Sequence, residues 1–167
     1  MSTLNESEKA KVVSRFRAHT QTRFWRYAPL VGWMAFVFFA SSDEFSAGNT
    51  SKILRPLLLW LFPQTSETTV ALAHFIVRKL SHFTEYAVLA LLAARAFLGS
   101  SHTLLKRRWF FAALLLVVLY ALMDEFHQSF VPSRKASIYD SLIDTAGGLT
   151  ALLACAVWHK SKPAREN

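Results

Sequence analysis

The sequence predicts an all-α protein, namely an integral membrane bundle of four transmembrane helices with an extra interfacial or re-entrant helix between the first and second spans. Three observations lead to this prediction. First, 53% of the 167 residues are apolar, including fourteen Phe and five Trp, which is high for a water-soluble domain. Second, four apolar runs approach the length of a spanning helix. Third, the basic residues are unevenly distributed among the connections.

The four predicted spans are residues 27–40, 86–98, 109–123 and 141–158. Each run falls short of the roughly 18–20 apolar residues that a spanning helix usually needs, but each comes close when polar residues near its ends are included. Trp and Tyr stand at several of these ends, as is typical of side chains at a membrane surface. A cleaved signal peptide is an alternative for the first run, but the long basic segment and the bulky Phe residues of "FFASS" favour a retained span.

The net charge is +8, and thirteen of the nineteen Lys and Arg residues lie in three segments: before the first span, around the second turn and after the last span. With four spans, these segments fall on one side, so the positive-inside bias predicts that both termini are cytoplasmic. The basic residues do not gather on one soluble face beside a base-reading motif, which argues against nucleic-acid binding. The predicted parts are therefore a basic cytoplasmic N-terminal segment (1–26), a four-helix membrane domain (27–158) and a basic cytoplasmic tail (159–167).

The connection after the first span contains "ILRPLLLWLFP", which is apolar but only about ten residues long and includes Pro56. This segment is too short to span a membrane, which favours an interfacial or re-entrant position. Thr65 or Ser66 can cap the next helix, with Glu67 favourably placed in its first turn. That helix continues without a breaker to Leu98. At 1.5 Å per residue it is about 50 Å long, so it should protrude from the hydrocarbon core.

The third helix is predicted to run from Trp109 to Gln128, before Pro132 breaks the chain. The fourth helix is predicted to begin near Asp140. Gly147 and Ala151 lie four residues apart and give this helix a small-residue face that permits close helix contact. Cys155 is expected to be a packing residue within the last span.

Polar residues cluster at the outward ends of the predicted helices. A carboxylate deep in a span costs about 2.5–3.5 kcal/mol on insertion scales, so such residues tend to face inward and pair. Helical spacing places several of them on shared faces. The candidate site consists of Ser41 and Ser42 on the first helix, Lys79, His82, Glu85 and Tyr86 on the second, Asp124, Glu125, His127 and Gln128 on the third, Arg134 in the last outer loop, and Asp140 and Asp144 on the fourth.

Each of these residues also has a structural interpretation. Glu125 points about 100° away from Asp124 on a helical projection and could be solvated. Tyr86 and Tyr120 could be interface anchors, and His82 and His127 could be structural hydrogen bonders. Arg134 and Lys135 could be loop charges that meet lipid headgroups. A structural role is hardest to accept for Asp144, because it lies a full turn inside the fourth helix.

The motifs "FFASS", "RKLSHFTEYAVLALLAARAF" and "LYALMDEFHQSFVPSRKASIYDSLIDTAGG" resemble those of the VanZ-like family, a bacterial membrane family named for a glycopeptide (teicoplanin) resistance protein. The resemblance covers about residues 30–157 and includes four polar blocks in the family's order. It implies a role in the bacterial envelope and a location in the cytoplasmic (inner) membrane, and it does not specify a reaction. The family pattern has Asn where this chain has Asp144, so this chain carries one more acid.

One functional hypothesis is an enzyme at the outer leaflet, with His82, Glu85, Asp124, His127 and Asp140 as the catalytic residues. Two acid–histidine pairs at an offset of three, His82 with Glu85 and Asp124 with His127, could hold a divalent metal or supply a general base. The remaining candidates would bind substrate: Lys79, Tyr86, Gln128, Arg134, Asp144, Ser41 and Ser42. No motif as restrictive as H-E-x-x-H is present, so the sequence identifies no cofactor.

Two other hypotheses need no chemistry. In the second, the same polar residues bind or transport an anionic membrane lipid, a lipid-linked envelope precursor or a lipid-like glycopeptide. In the third, they only hold four helices together as a scaffold. The sequence does not distinguish these hypotheses, and it does not give the ligand's identity or the oligomeric state.

Overall fold

The computed structural model describes residues 6–42, 47–132 and 137–161, with side chains described from Arg23 onward except at 47–50 and 53. All regular secondary structure in these ranges is helical, which confirms the all-α prediction. The six helices are α1 (Glu6–Ala40), α2 (Ala47–Leu61), α3 (Glu67–Leu98), α4 (Thr103–Arg107), α5 (Trp109–Gln128) and α6 (Ile138–Ser161).

The bounds of α3 follow its local sequence signals. Ser66 is the N-cap, and its hydroxyl accepts a hydrogen bond from the backbone N–H of Thr69 at 3.3 Å. Glu67 follows in the first turn, where a negative charge is favourable. The helix ends at Gly99, whose N–H bonds to the carbonyl of Arg95 at 3.3 Å. The predicted unbroken helix is therefore confirmed.

The bounds of the other long helices confirm or extend the sequence-based prediction. α1 is a single helix of 35 residues that continues through Pro29, so it joins the predicted N-terminal segment to the first predicted span. The short apolar segment forms α2, a helix of 15 residues with Pro56 inside it. α5 has the predicted bounds, and α6 begins at Ile138, two residues before Asp140.

α3 lies at the centre of the fold, with α6, α5, α1 and α2 packed around it. α1 and α3 run antiparallel, since Trp33 donates its indole N–H to the carbonyl of Glu85 at 2.9 Å, while Tyr27 donates its hydroxyl to that of Ser100 at 3.1 Å. Tyr120 of α5 donates to the carbonyl of Met34 at 2.5 Å. These bonds fix the relative heights of α1, α3 and α5.

The contacts of α6 with α3 and α5 depend on two glycines. A Cβ atom on Gly147 would collide with the backbone of Phe83, whose carbonyl carbon would lie only 2.9 Å away. A Cβ atom on Gly148 would lie 2.6 Å from a methyl group of Val117. The small-residue face predicted for the last helix is thus the surface that packs against α3.

Small side chains fill the interior and large apolar side chains lie on the surface, as is typical of proteins that contact lipid. The interior contains many small residues, including Ala90, Ala93, Ala94 and Ala121, whereas large apolar side chains such as Leu119 are exposed. Two of the described helices, α5 and α6, are long and apolar enough to cross a membrane by length and composition. The number of spans beyond these two remains a prediction.

Candidate functional site

The polar residues at one end of the bundle are buried where α3, α5 and α6 meet. We use the term polar cluster for five of them, His82, Tyr86, Asp124, Gln128 and Asp144. Tyr86, Gln128 and Asp144 have no accessible surface, and Asp124 and His82 are only 2% and 5% exposed. Because the three helices supply these side chains at the same height, the sequence-based expectation that they converge in space holds for these five.

The first internal contact of the polar cluster joins α3 to α6. The imidazole Nδ1 of His82 lies 3.2 Å from Oδ1 of Asp144. This contact exists because Gly147, one turn after Asp144, allows α6 to approach the backbone beside His82. A histidine and a carboxylate at this distance can share a proton, so the pair can hold or transfer one.

The second internal contact lies on α5, where the amide Nε2 of Gln128 donates to Oδ2 of Asp124 at 2.8 Å. Asp124 faces the His82–Asp144 pair. One ring nitrogen of His82 and one carboxylate oxygen each of Asp124 and Asp144 lie within 4.8 Å of one another. These three atoms come from three different helices. Among the described residues, they form the group of His and acidic side chains that lie close enough together to hold a metal ion.

Several polar atoms of the polar cluster lack hydrogen-bond partners among the described residues. They are Oδ1 of Asp124, Oδ2 of Asp144, Oε1 of Gln128 and the hydroxyl of Tyr86. A buried polar atom without a partner costs about 1–3 kcal/mol. Four such atoms in one small region leave hydrogen-bonding capacity that a water molecule, a shared proton or a bound ion could satisfy.

Lys79 lies at the margin of the polar cluster and forms an ion pair with Asp140 between α3 and α6. Its ammonium group also lies 5.3 Å from the ring centroid of Phe75. The side chain of Lys79 is 22% exposed and that of Asp140 is 6% exposed. Lys79 therefore places a positive charge between the polar cluster and the surface.

Glu125 is buried, at 7% exposure, so the interpretation that it is solvated is wrong. Its Oε2 accepts a hydrogen bond from the backbone N–H of Ser137 at 2.6 Å. Ser137 directly precedes α6, so Glu125 holds the start of that helix near the end of α5. Glu125 therefore stabilises the connection between the two helices.

The structure places His127 on the side of α5 that faces α1. Its ring stacks on Phe38, with the ring centroids 4.2 Å apart. The polar contacts described for the other predicted pair members are His82 with Asp144 and Asp124 with Gln128. The contact of His82 therefore joins α3 to α6, and that of Asp124 lies within α5 at an offset of four. The expectation that two pairs at an offset of three hold a metal stays a prediction.

Ser41 is buried at the end of α1, and the hydroxyl of Ser42 donates to the carbonyl of Phe39 at 2.6 Å. Ser42 thus closes the end of its own helix. Arg134 lies outside the described residues. The part of the candidate site that involves this arginine remains a prediction.

Glu85 borders a cleft of about 430 Å³ between α1 and α3. The walls of the cleft are mostly apolar, with Ser81 and Thr84 beside Glu85, and its lining residues are Trp33, Phe36, Val77, Leu80, Ser81, Thr84 and Glu85. Glu85 is also close enough for its charge to act on His82. It therefore stands between the cleft and the polar cluster.

The sequence-based candidate site does not include two residues, Ser141 beside the polar cluster and His74 in a separate cleft. Ser141 is buried, and its hydroxyl donates to the carbonyl of Ala121 at 3.4 Å, which ties α6 to α5 beside the polar cluster. His74 borders a second cleft with Arg55 and Glu67, between α2 and α3. The signal for Ser141 is its offset of three from Asp144, which places it on the same side of the helix.

A protein-family model described as VanZ/LLP1 matches residues 25–159 of the chain. The matched range includes every residue of the polar cluster. Comparison with curated proteins and with solved structures gives no match.

Proposed function

Since the chain belongs to the VanZ/LLP1 family, we propose that it is a multi-pass protein of the bacterial cytoplasmic membrane that binds an anionic envelope lipid or lipid-linked cell-wall precursor. The observation that carries this proposal is the position of Lys79, a partly exposed cation at the margin of a buried polar cluster. A link to glycopeptide (teicoplanin) resistance is part of the same proposal, because an altered envelope lipid would change the surroundings of the antibiotic's target.

The apolar surface of α5 supports a membrane location. Its exposed face carries large side chains, whereas its buried face is lined by Ala, Val and polar residues. Burying one large apolar side chain is worth about 1.5–3 kcal/mol, so five exposed ones would forgo on the order of 10 kcal/mol in water, as much as the whole stability of a typical domain. The five are Phe111, Leu115, Leu119, Leu122 and Phe126.

The charge distribution supports four spans with the polar cluster facing outward. Basic residues gather at the opposite end of the bundle, where Arg95 of α3 donates to the carbonyl of Arg26 on α1 at 3.4 Å. By the positive-inside bias this end is cytoplasmic. The proposed spans lie in α1, α3, α5 and α6, and α2 rests at the outer surface. The basic N-terminal segment and tail then lie in the cytoplasm.

Lys79 is suited to hold an anionic group because an ammonium has three donors. Asp140 accepts from one of them, and the exposed part of the side chain leaves the others reachable from the surface. Phosphate is a strong acceptor for such a charge-assisted bond. The apolar cleft between α1 and α3 supplies a separate surface for an acyl or polyprenyl chain, with Glu85 at its polar border.

The proposal is tested with the full chain in detergent, by measuring binding of phosphatidylglycerol and of a polyprenyl phosphate, with phosphatidylcholine as the zwitterionic comparison. We expect tighter binding of the anionic lipids and a loss of that preference in Lys79→Gln. Lys106→Gln is the matched control, since it removes one exposed cation at the opposite end. The double variant Lys79→Gln with Asp140→Asn removes both charges, so it does not leave a buried carboxylate unpaired.

Equal binding of anionic and zwitterionic lipid by the wild-type protein would contradict the proposal. So would equal losses in the Lys79 and Lys106 variants, because that result would mean that net charge rather than the site attracts the lipid.

A reaction on the bound headgroup is the second candidate function, favoured by the His82–Asp144 contact at 3.2 Å. An imidazole backed by a carboxylate can act as a general base toward water or a ligand hydroxyl. Incubation of wild-type protein with the bound lipid, followed by mass analysis, distinguishes the two candidates. A product that disappears in His82→Gln while binding persists would support the reaction, and an unchanged lipid would support binding alone.

A further inference from the structure

We propose that His82, Asp124 and Asp144 form a binding site for a divalent transition-metal cation such as Zn²⁺ or Mn²⁺. The three ligands come from α3, α5 and α6, so the cation would join the three helices at the polar cluster. This inference goes beyond the proposed function and does not depend on which lipid, if any, the protein binds.

The three ligand atoms lie near enough to one another for a metal site to form. They lie within 4.8 Å of one another, whereas two ligands of a tetrahedral ion that binds at roughly 2.1 Å lie about 3.4 Å apart. Side-chain rotations that bring the ligand atoms about 1 Å closer together would therefore close the site. The backbone already supplies the approach, through the contact of Gly147 with Phe83.

The unpartnered oxygens are a second and independent observation. Oδ1 of Asp124 and Oδ2 of Asp144 have no hydrogen-bond partner among the described residues, and both side chains are at least nine-tenths buried. Gln128, with no accessible surface, leaves Oε1 unpartnered in the same region while its amide nitrogen holds the other oxygen of Asp124. Each carboxylate thus has one oxygen engaged by the protein and one left to bind a cation.

Charge leads to the same conclusion. Two ionised carboxylates whose oxygens lie within 4.8 Å of each other in a buried site repel strongly, because the surroundings screen charge less than water does. A neutral imidazole does not offset this repulsion, whereas one divalent cation balances both charges. The ion pair of Lys79 with Asp140 leaves these two acids unneutralised.

The ligand types select the class of metal. Imidazole is a common ligand of Zn²⁺ and other first-row metals, while carboxylates also suit Mn²⁺. Mg²⁺ and Ca²⁺ prefer sites made entirely of oxygen ligands. Cys155 lies eleven residues beyond Asp144, about 16 Å along α6, so a thiolate does not take part. One histidine with two aspartates therefore favours Zn²⁺ or Mn²⁺ over Mg²⁺.

A bound cation would change both candidate functions. It would cancel the negative charge of Asp124 and Asp144. The neighbourhood of Lys79 would then be more favourable for an anionic headgroup. A ligating nitrogen of His82 would no longer accept a proton, so the proposed general base would be lost.

The test uses the full chain purified in detergent and stripped with a chelator, titrated calorimetrically with Zn²⁺, Mn²⁺ and Mg²⁺ alone. We expect one equivalent of Zn²⁺ or Mn²⁺ to bind, and at least tenfold weaker binding in Asp124→Asn and in Asp144→Asn. Glu67→Gln is the matched control, because it removes a carboxylate that is 72% exposed and is not one of the proposed ligands. Wild-type protein that binds neither metal, or Asn variants that bind like wild type, would overturn the inference.

A second measurement keeps the test informative if an Asn variant fails to fold. Co²⁺ added to the stripped wild-type protein should give a visible d–d band without thiolate charge transfer, and Zn²⁺ should displace it. Repeating the lipid titrations on stripped protein separates the two proposals. Metal binding without anionic-lipid preference would leave only the metal site standing, and lipid preference without metal binding would leave only the proposed function.

Discussion

Gly147 of α6 lies against the backbone of Phe83 on α3, so closely that a Cβ atom would come within 2.9 Å of the Phe83 carbonyl carbon. Asp144 stands one turn before Gly147, and His82 stands one residue before Phe83. The contact between a glycine and a backbone carbonyl therefore sets the distance of 3.2 Å between His82 and Asp144. The geometry of the candidate site depends on a residue that has no side chain.

Gly147→Ala should destabilise the fold and separate His82 from Asp144. The added methyl group meets backbone atoms that cannot rotate away, so α6 must move outward, and overpacking of this kind costs about 1–3 kcal/mol. We expect the thermal unfolding midpoint in detergent to fall by roughly 2–12 °C. Gly32→Ala is the matched control, because a Cβ at Gly32 meets nothing within 4 Å. Similar midpoints for both variants would show that the α3–α6 contact does not limit stability.

Gly148→Ala should also be destabilising, but by a mechanism that a second substitution can reverse. A Cβ at Gly148 would lie 2.6 Å from one methyl group of Val117, which is a side-chain atom rather than backbone. Val117→Ala removes that methyl group, so the double variant should be more stable than Gly148→Ala alone, although it loses some apolar contact. Unfolding midpoints of the two single variants and the double variant measure the coupling. Additive losses would contradict the proposed clash.

Local signals in the sequence are enough to predict the helices. The cap at Ser66, the stop at Gly99 and the break before Pro132 depend on residues close in sequence, so the bounds of α3 and α5 follow from the chain itself. Burial of His82, Asp124 and Asp144 also follows, because charged residues in an apolar helix are stable only when they face inward. These inferences need no knowledge of the register between helices.

The partners of the buried groups depend on that register and escape prediction. Spacing on α3 places Glu85 one turn from His82, but the height of α6 against α3 brings Asp144 to the same histidine. In the same way, Glu125 points away from Asp124 on a helical projection and yet is buried, because the N–H of Ser137 meets it at the start of α6. A single helix determines which residues share a face, and neighbouring helices determine what that face contacts.

The ion pair between Arg55 of α2 and Glu67 of α3 should lower the pKa of the Glu67 carboxyl group, through its hydrogen bond to Arg55 and the attraction of that charge. Both groups lie outside the proposed spans. Because the pKa is lower in the folded state than in the unfolded state, the pair stabilises the fold above the unfolded pKa, and this contribution is lost as the pH falls through the folded pKa. The contribution should be small, since exposed pairs are screened by solvent and salt.

Carbon-13 NMR of the labelled Glu67 carboxyl group can follow its titration in the detergent-solubilised protein. We expect the midpoint to rise in Arg55→Gln and to remain low in Arg55→Lys, which keeps the charge. High salt should reduce the difference. A midpoint that does not change in Arg55→Gln would show that the 2.5 Å contact does not persist in solution.

Asp140→Ala and Asp144→Ala should impair binding of anionic lipid more than Glu67→Ala does. Both Asp residues are buried, Asp140 pairing with the partly exposed Lys79 and Asp144 with the buried His82. Asp144→Ala leaves His82 buried without its counterpart, and breaking a buried pair in this way costs about 2–5 kcal/mol. Without Asp140, Lys79 is no longer held at the margin of the polar cluster. Glu67 is exposed and supports the contact with Arg55.

Titration of phosphatidylglycerol should therefore give at least tenfold weaker binding for either Asp variant and wild-type binding for Glu67→Ala, with folded protein confirmed by gel filtration. Equal binding by all three variants would mean that the polar cluster has no special part in recognition, whereas loss of folded protein in both Asp variants alone would assign these residues to helix packing.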